Sequence, residues 1–118
     1  PKDIIDAREL CSRIFMDEKV KEYILSIVFA TRYPEKAGLG NLTSKIQIGA
    51  SPRATNSLAK ASRAHAFIRH RGFVTPEDVK AIAYDVLRHR VLVTFEAEAE
   101  GLDADQLVQK ILDKVEVP

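Results

Sequence analysis

Gly49-Ala50-Ser51-Pro52-Arg53-Ala54-Thr55 and, one helix length later, Gly72-Phe73-Val74-Thr75-Pro76-Glu77-Asp78-Val79-Lys80 decide how this chain folds. A hydroxyl residue followed by proline is a helix opening. The hydroxyl can accept a free amide of the first turn, and proline at the first helical position loses no hydrogen bond, because its missing N–H would be unpaired there anyway. Ser51-Pro52 therefore predicts a helix running to about Arg71, with Ala54, Leu58, Ala61, His65 and Ile68 on its apolar face and Gly72 as its stop. Most of that face is small, so a neighbouring helix can approach closely, which makes this the expected central helix. Thr75-Pro76 restarts the chain as a second helix. Its first turn carries Glu77 and Asp78 against the positive helix end, its stripe is Val79, Ile82, Ala83, Val86 and Leu87, and Arg88-His89-Arg90 sits in the last turn, where cations suit the negative end.

Outward from these two helices the period stays near 3.6. Asp3 to about Phe15 reads as a helix through Ile4, Ala7, Cys11, Ile14 and Phe15. Asp17 reads as the cap of the next, with Val20, Ile24, Ile27, Val28 and Thr31 as its stripe and Tyr33-Pro34 as its end. Leu25 and Phe29 widen that arc, so the helix is expected to pack against more than one neighbour. Residues 34–50 read as a long loop. Val91-Leu92-Val93-Thr94-Phe95 fits a short strand or a continuation of the preceding helix. Asp103 with Gln106 three residues on forms a capping-box pattern that opens a final helix through Leu107, Val108, Ile111, Leu112 and Val115. The expectation is one all-α domain over residues 1–118, a compact bundle of about five helices with a possible strand at 91–95.

Composition narrows the function classes. The chain has 118 residues, room for one core, and 46% hydrophobic with 30% charged residues is the balance of a folded globular domain. Net charge is only +1, but it is unevenly spread. Residues 45–90 hold nine bases against three acids, and residues 91–118 hold two lysines against seven acids. Such a layout fits either an anion site in the middle or two solvated faces that attract each other across the fold or between subunits. The one cysteine, Cys11, cannot pair within the chain and suits a reducing cytoplasm. The longest apolar run, Ile27-Val28-Phe29-Ala30, is far short of the roughly 20 residues of a membrane span.

No Gly-Lys-Ser or Gly-Lys-Thr phosphate loop is present. Ile14-Phe15-Met16-Asp17-Glu18 resembles a magnesium-holding strand end only superficially, and no Gly-x-Ser-x-Gly elbow occurs. His65, His70 and His89 lack the paired spacing of a zinc site. One residue does break a local rule. Arg53 stands in the first turn of its helix, where the main-chain amides are already positive and acids are preferred. A cation there calls for an anion, and exposed amides plus a guanidinium able to grip two oxygens make a phosphate site.

The Gly49–Thr55 and Gly72–Lys80 segments, with Val86-Leu87-Arg88-His89-Arg90 after them, closely resemble in order and spacing the C-terminal lid of MoxR-type AAA+ ATPases. Asp17-Glu18-Lys19-Val20 to Thr31-Arg32 is similar to the first lid helices, and Glu96-Ala97-Glu98-Ala99-Glu100-Gly101 to the family's acidic end. The resemblance implies a helical lid closing over ATP and Mg²⁺ held mainly by an N-terminal core that this chain lacks, so the chain alone would not hydrolyse ATP. It makes Arg53 the sensor 2 arginine that contacts the γ-phosphate, with Gly49, Ser51 and Pro52 shaping the turn that aims it, and Arg88 and Arg90 as secondary candidates. It further implies a ring, hexameric in the family, chaperone-like maturation of partner proteins, and von Willebrand factor A domain partners, with neither nucleic acid nor membrane expected. The alternative is a free-standing helical module whose Lys60, Arg63, Arg69 and Arg71 bind nucleic acid or an acidic protein.

Overall fold

The structure, a computed structural model, describes residues 9–118. Residues 9–12 are helical, and the start of the expected first helix lies outside the described residues. That segment ends earlier than its apolar pattern suggests. By Phe15 the chain is extended and bridges Phe73 in parallel, its N–H donating to the Gly72 carbonyl at 2.9 Å and its carbonyl accepting from Val74 N–H at 2.8 Å.

The elements that follow are α1 (Glu18–Arg32), β1 (Ile46–Ile48), α2 (Arg53–Ile68), α3 (Pro76–Leu87), β2 (Leu92–Val93), α4 (Phe95–Ala99) and α5 (Ala104–Lys114). The architecture is all-α with a minimal antiparallel pair, in which Ile46 faces Val93 and Ile48 faces Leu92. Residues 34–50 are more ordered than a loop. They hold two 3₁₀ turns, Pro34–Ala37 and Gly40–Leu42, then β1, because Leu39 and Leu42 are drawn into the core. The acidic stretch after β2 forms the short α4, capped by Thr94, whose hydroxyl accepts from Ala97 N–H at 3.2 Å.

Three helix openings match their sequence signals. The Asp17 carboxylate accepts from Lys19 N–H at 3.0 Å, Thr75 with Asp78 forms a capping box, and so does Asp103 with Gln106. The opening of α2 differs. No side chain caps it: the Ser51 and Pro52 carbonyls accept from Ala54 N–H at 2.9 Å and Thr55 N–H at 3.1 Å, a tight first turn in which Pro52 is already helical.

Core packing centres on α1, which touches α2, α3, α5 and β1. Val20, Tyr23, Ile24, Ile27 and Val28 of α1 are buried with Leu58, Val79, Leu87, Leu107 and Ile111. The buried face of α2 is Ala54, Leu58, Ser62 and Ala66, turned from the expected one, and Ile68 is 71% exposed. The small Ala54, Ser62 and Ala66 on that face let α3 lie against α2, as the small-residue reading implied. Leu25 and Phe29, expected to face a second neighbour, are instead exposed. They line, with Tyr33, Pro52, Thr55 and the Val115–Pro118 tail, a groove of about 1030 Å³ along α1.

Candidate functional site: the two ends of helix α2

Arg53 opens α2 in solvent, and none of the ion pairs or side-chain hydrogen bonds among the described residues involves it. The turn before it is pinned. The Thr31 hydroxyl, on the last turn of α1, donates to the Val28 carbonyl at 2.7 Å and accepts from Ala50 N–H at 3.0 Å, all of it buried. Gly49 passes so close to that helix end that a Cβ on it would lie 2.7 Å from the Thr31 carbonyl carbon and 2.9 Å from Arg32 Cα. A side chain there would force the turn or the helix end to shift. Ala50 and Ala54 are fully buried, which seats the two ends of the Gly49–Ala54 segment and leaves Ser51, Pro52 and Arg53 on the surface. The structure thus brings Gly49, Ser51, Pro52 and Arg53 together in one turn. Arg88 and Arg90 belong to another place, just past the end of α3 rather than in its last turn.

Arg88 is occupied. Its Nε donates to Asp105 at 2.7 Å and its Nη1 to Asp85 at 3.3 Å, and these hydrogen bonds, Asp105 first, raise its pKa. Arg90 is exposed. Lys45 is likewise held by Glu100 at 2.6 Å and Glu96 at 3.1 Å. The basic middle and the acidic tail therefore attract each other across the fold.

The C-terminal end of α2 carries a network that sequence reasoning did not assemble. Asp78 is fully buried, and its carboxylate meets His65 Nδ1 at 2.6 Å, the Arg71 guanidinium, Thr75 N–H at 2.8 Å and the Thr75 hydroxyl at 3.0 Å. Burial alone would raise the pKa of this carboxyl. The Thr75 amide, His65, the Thr75 hydroxyl and the Arg71 charge outweigh it, and the net is a pKa held below the ordinary value. Helix α2 stops not at Gly72 but at Ile68, through His70 in the left-handed region at φ 60°. His70 N–H donates to Phe67 and Arg71 N–H to Ala66, the paired bonds of a Schellman stop, which also turn Arg71 towards Asp78. Two of the four bases of the nucleic-acid alternative are thereby engaged in the fold, since Arg63 Nε also donates to the Ile14 carbonyl at 3.2 Å. The available signal for the network was a Thr-x-x-Asp capping box whose aspartate lies on the buried side of its helix.

Among the described residues no group of three or more His, Cys, Asp or Glu is placed to hold a metal ion, and no helix is long and apolar enough to cross a membrane.

Comparison with known proteins identifies the family of this fold. The AAA lid domain family matches residues 42–111. Chaperone MoxR1 of Mycobacterium tuberculosis is 34% identical over 116 residues, which is 98% of this chain and 31% of that protein. Protein MoxR of Paracoccus denitrificans is 33% identical over 89 residues, 70% of this chain and 26% of the relative. A crystal structure of a Cytophaga hutchinsonii protein described as an ATPase superposes with a TM-score of 0.95 at 40% identity, covering 99% of this chain and 36% of that one. The chain thus spans about a third or less of these proteins. Its matched helices, with Arg53 and the pinned turn inside them, make it a member of the AAA lid domain family, a lid of the MoxR-type AAA+ ATPases.

Proposed function

We propose that this lid closes over ATP bound by a AAA+ core of the same polypeptide and that Arg53 acts as its sensor 2 residue, pairing with the γ-phosphate. The observation that carries this reading is an exposed arginine, without a partner among the described residues, at the start of a 16-residue helix and on a turn that packing against α1 holds in place. The positive end of the helix dipole adds to the guanidinium there, and a planar fork can take two phosphate oxygens. One arginine and one helix start are a fraction of a nucleotide site. In this reading the core supplies the remaining contacts and the Mg²⁺. Lid and core together form a ring with neighbouring subunits, hexameric in this reading. Hydrolysis drives chaperone-like maturation of partner proteins, von Willebrand factor A domain proteins among them, in the cytoplasm.

The test is steady-state ATP turnover of the full-length protein. Losing a charge-assisted contact to phosphate costs about 1.5–3 kcal/mol, so Arg53→Ala should slow hydrolysis by roughly ten- to more than a hundredfold. Arg53→Lys should restore little, because a point charge lacks the bidentate fork. Melting temperatures of both variants should match the parent. Unchanged turnover in a folded Arg53→Ala protein would return Arg53 to an ordinary surface arginine.

A further inference from the structure

We propose that Thr31 is a positioning residue for Arg53, coupling the C-terminal end of α1 to the arginine through its side-chain hydroxyl; the inference rests on the sensor reading of Arg53 above. Thr31 is 1% exposed, on the α1 stripe, and its methyl group could serve the core as well as any valine. The hydroxyl does something else. It spends its proton on the Val28 carbonyl at 2.7 Å, which turns its lone pairs outward from the helix, and one of them takes Ala50 N–H at 3.0 Å. That amide is the last main-chain donor before the tight Ser51–Pro52 opening, and it has no helix or strand partner. Gly49, jammed against the same helix end, prevents the turn from sliding along α1. Three residues after Ala50 comes Arg53. Beside the seating of Ala50 and Ala54, a buried hydrogen bond and a close backbone contact thus tie the approach to Arg53 to α1, and a shift at that helix end is passed on to the arginine.

A displacement of about 1 Å in a group aligned for chemistry can cost on the order of a hundredfold in rate. Thr31→Val keeps the shape and removes the hydroxyl, leaving Ala50 N–H buried without an acceptor; Thr31→Ser keeps the hydroxyl. The experiment is a double-mutant cycle on kcat of the full-length ATPase, with Thr31→Val made in the parent and in the Arg53→Ala background. In the parent, Thr31→Val should lower kcat by roughly ten- to a hundredfold, while Thr31→Ser holds it within about twofold and so restores the effect of the hydroxyl. In Arg53→Ala, Thr31→Val should cause no further fall, because there is no guanidinium left to misplace. An equal fall in both backgrounds would show a merely structural role and overturn the inference, as would unchanged kcat in the parent or failure of serine to rescue. Should the valine variant not fold, Thr31→Ala removes the same hydroxyl without crowding and is read in the same cycle. The two readings separate cleanly. If Arg53→Ala leaves turnover unchanged, the sensor reading fails and this inference with it; if Arg53→Ala slows turnover and Thr31→Val does not, only the positioning role is lost.

Discussion

At its C-terminal end α2 delivers His65, and through the following turn Arg71, to a buried aspartate; at its N-terminal end it leaves Arg53 in solvent. Roughly 24 Å of helix separates these ends, at 1.5 Å per residue over 16 residues. The Arg71 cation near this helix C-terminus complements its negative pole, and Asp78 further neutralises it. Arg53 adds charge to a pole that is already positive. A fold gains nothing from that arrangement by itself, so the two ends set Arg71, which is engaged in the fold, apart from Arg53, which is exposed.

The contrast breaks most visibly at Asp78. Asp78→Ala removes the common partner of His65, Arg71 and the Thr75 amide and should destabilise the chain by about 3–5 kcal/mol, the usual cost of deleting one side of a buried ionic pair. A thermal melt would report it as a fall of well over ten degrees, at roughly 4–8 °C per kcal/mol for a domain near this size. Acid acts on the same bond. Because the folded carboxyl has its pKa lowered, its stabilisation is complete above the ordinary value and is lost as pH falls through the lower folded value. Stability of the parent should drop across that acid window, and the Asp78→Ala variant should lack that part of the pH dependence.

At the other end the corresponding change is Gly49→Ala, which places a methyl group against the Thr31 carbonyl and Arg32 Cα. Neither is the flexible tip of a side chain. Overpacking of this kind costs about 1–3 kcal/mol, read by denaturant midpoint, and a smaller effect would mean that the turn is free to move off α1. His70→Gly should act in the opposite direction. A histidine at φ 60° carries a conformational cost that glycine does not, so the variant should gain about 1 kcal/mol with the Schellman bonds kept. Arg88→Ala gives the smallest shift, because its carboxylate partners are exposed and salt screens them. Its melting temperature should approach that of the parent as salt is raised.

Much of this contrast could be read from the chain, and the reason lies in range. Caps at Asp17, Thr75 and Asp103 depend on residues two or three apart, and the helical stripes on residues three or four apart, so the sequence alone reveals them. Arg53 was visible as a charge in the wrong place for a helix start. Thr31 was visible only as a stripe residue, because its bond to Ala50 spans 19 positions. The Asp78 network joins residues 7 and 13 apart across a turn, a distance at which neither periodicity nor capping speaks. Two local signals were misread. Gly72 looked like the helix stop, yet His70 takes the left-handed position and leaves Gly72 to accept from Phe15. Ser51 looked like a cap, yet main-chain carbonyls of the tight first turn take the free amides. The short α4 escaped because its Glu-Ala repeat has no apolar stripe, and only Ala97 is buried.

The γ-phosphate is the one feature that separates ATP from ADP, so nucleotide preference tests the open end of α2 most directly. Affinities of full-length parent and Arg53→Ala for a non-hydrolysable ATP analogue and for ADP, measured by calorimetry, give four numbers. If Arg53 reads the γ-phosphate, the variant should bind the analogue roughly tenfold or more weakly, the loss of one charge-assisted contact, with ADP affinity unchanged. An equal weakening for both nucleotides, or none for either, would contradict it.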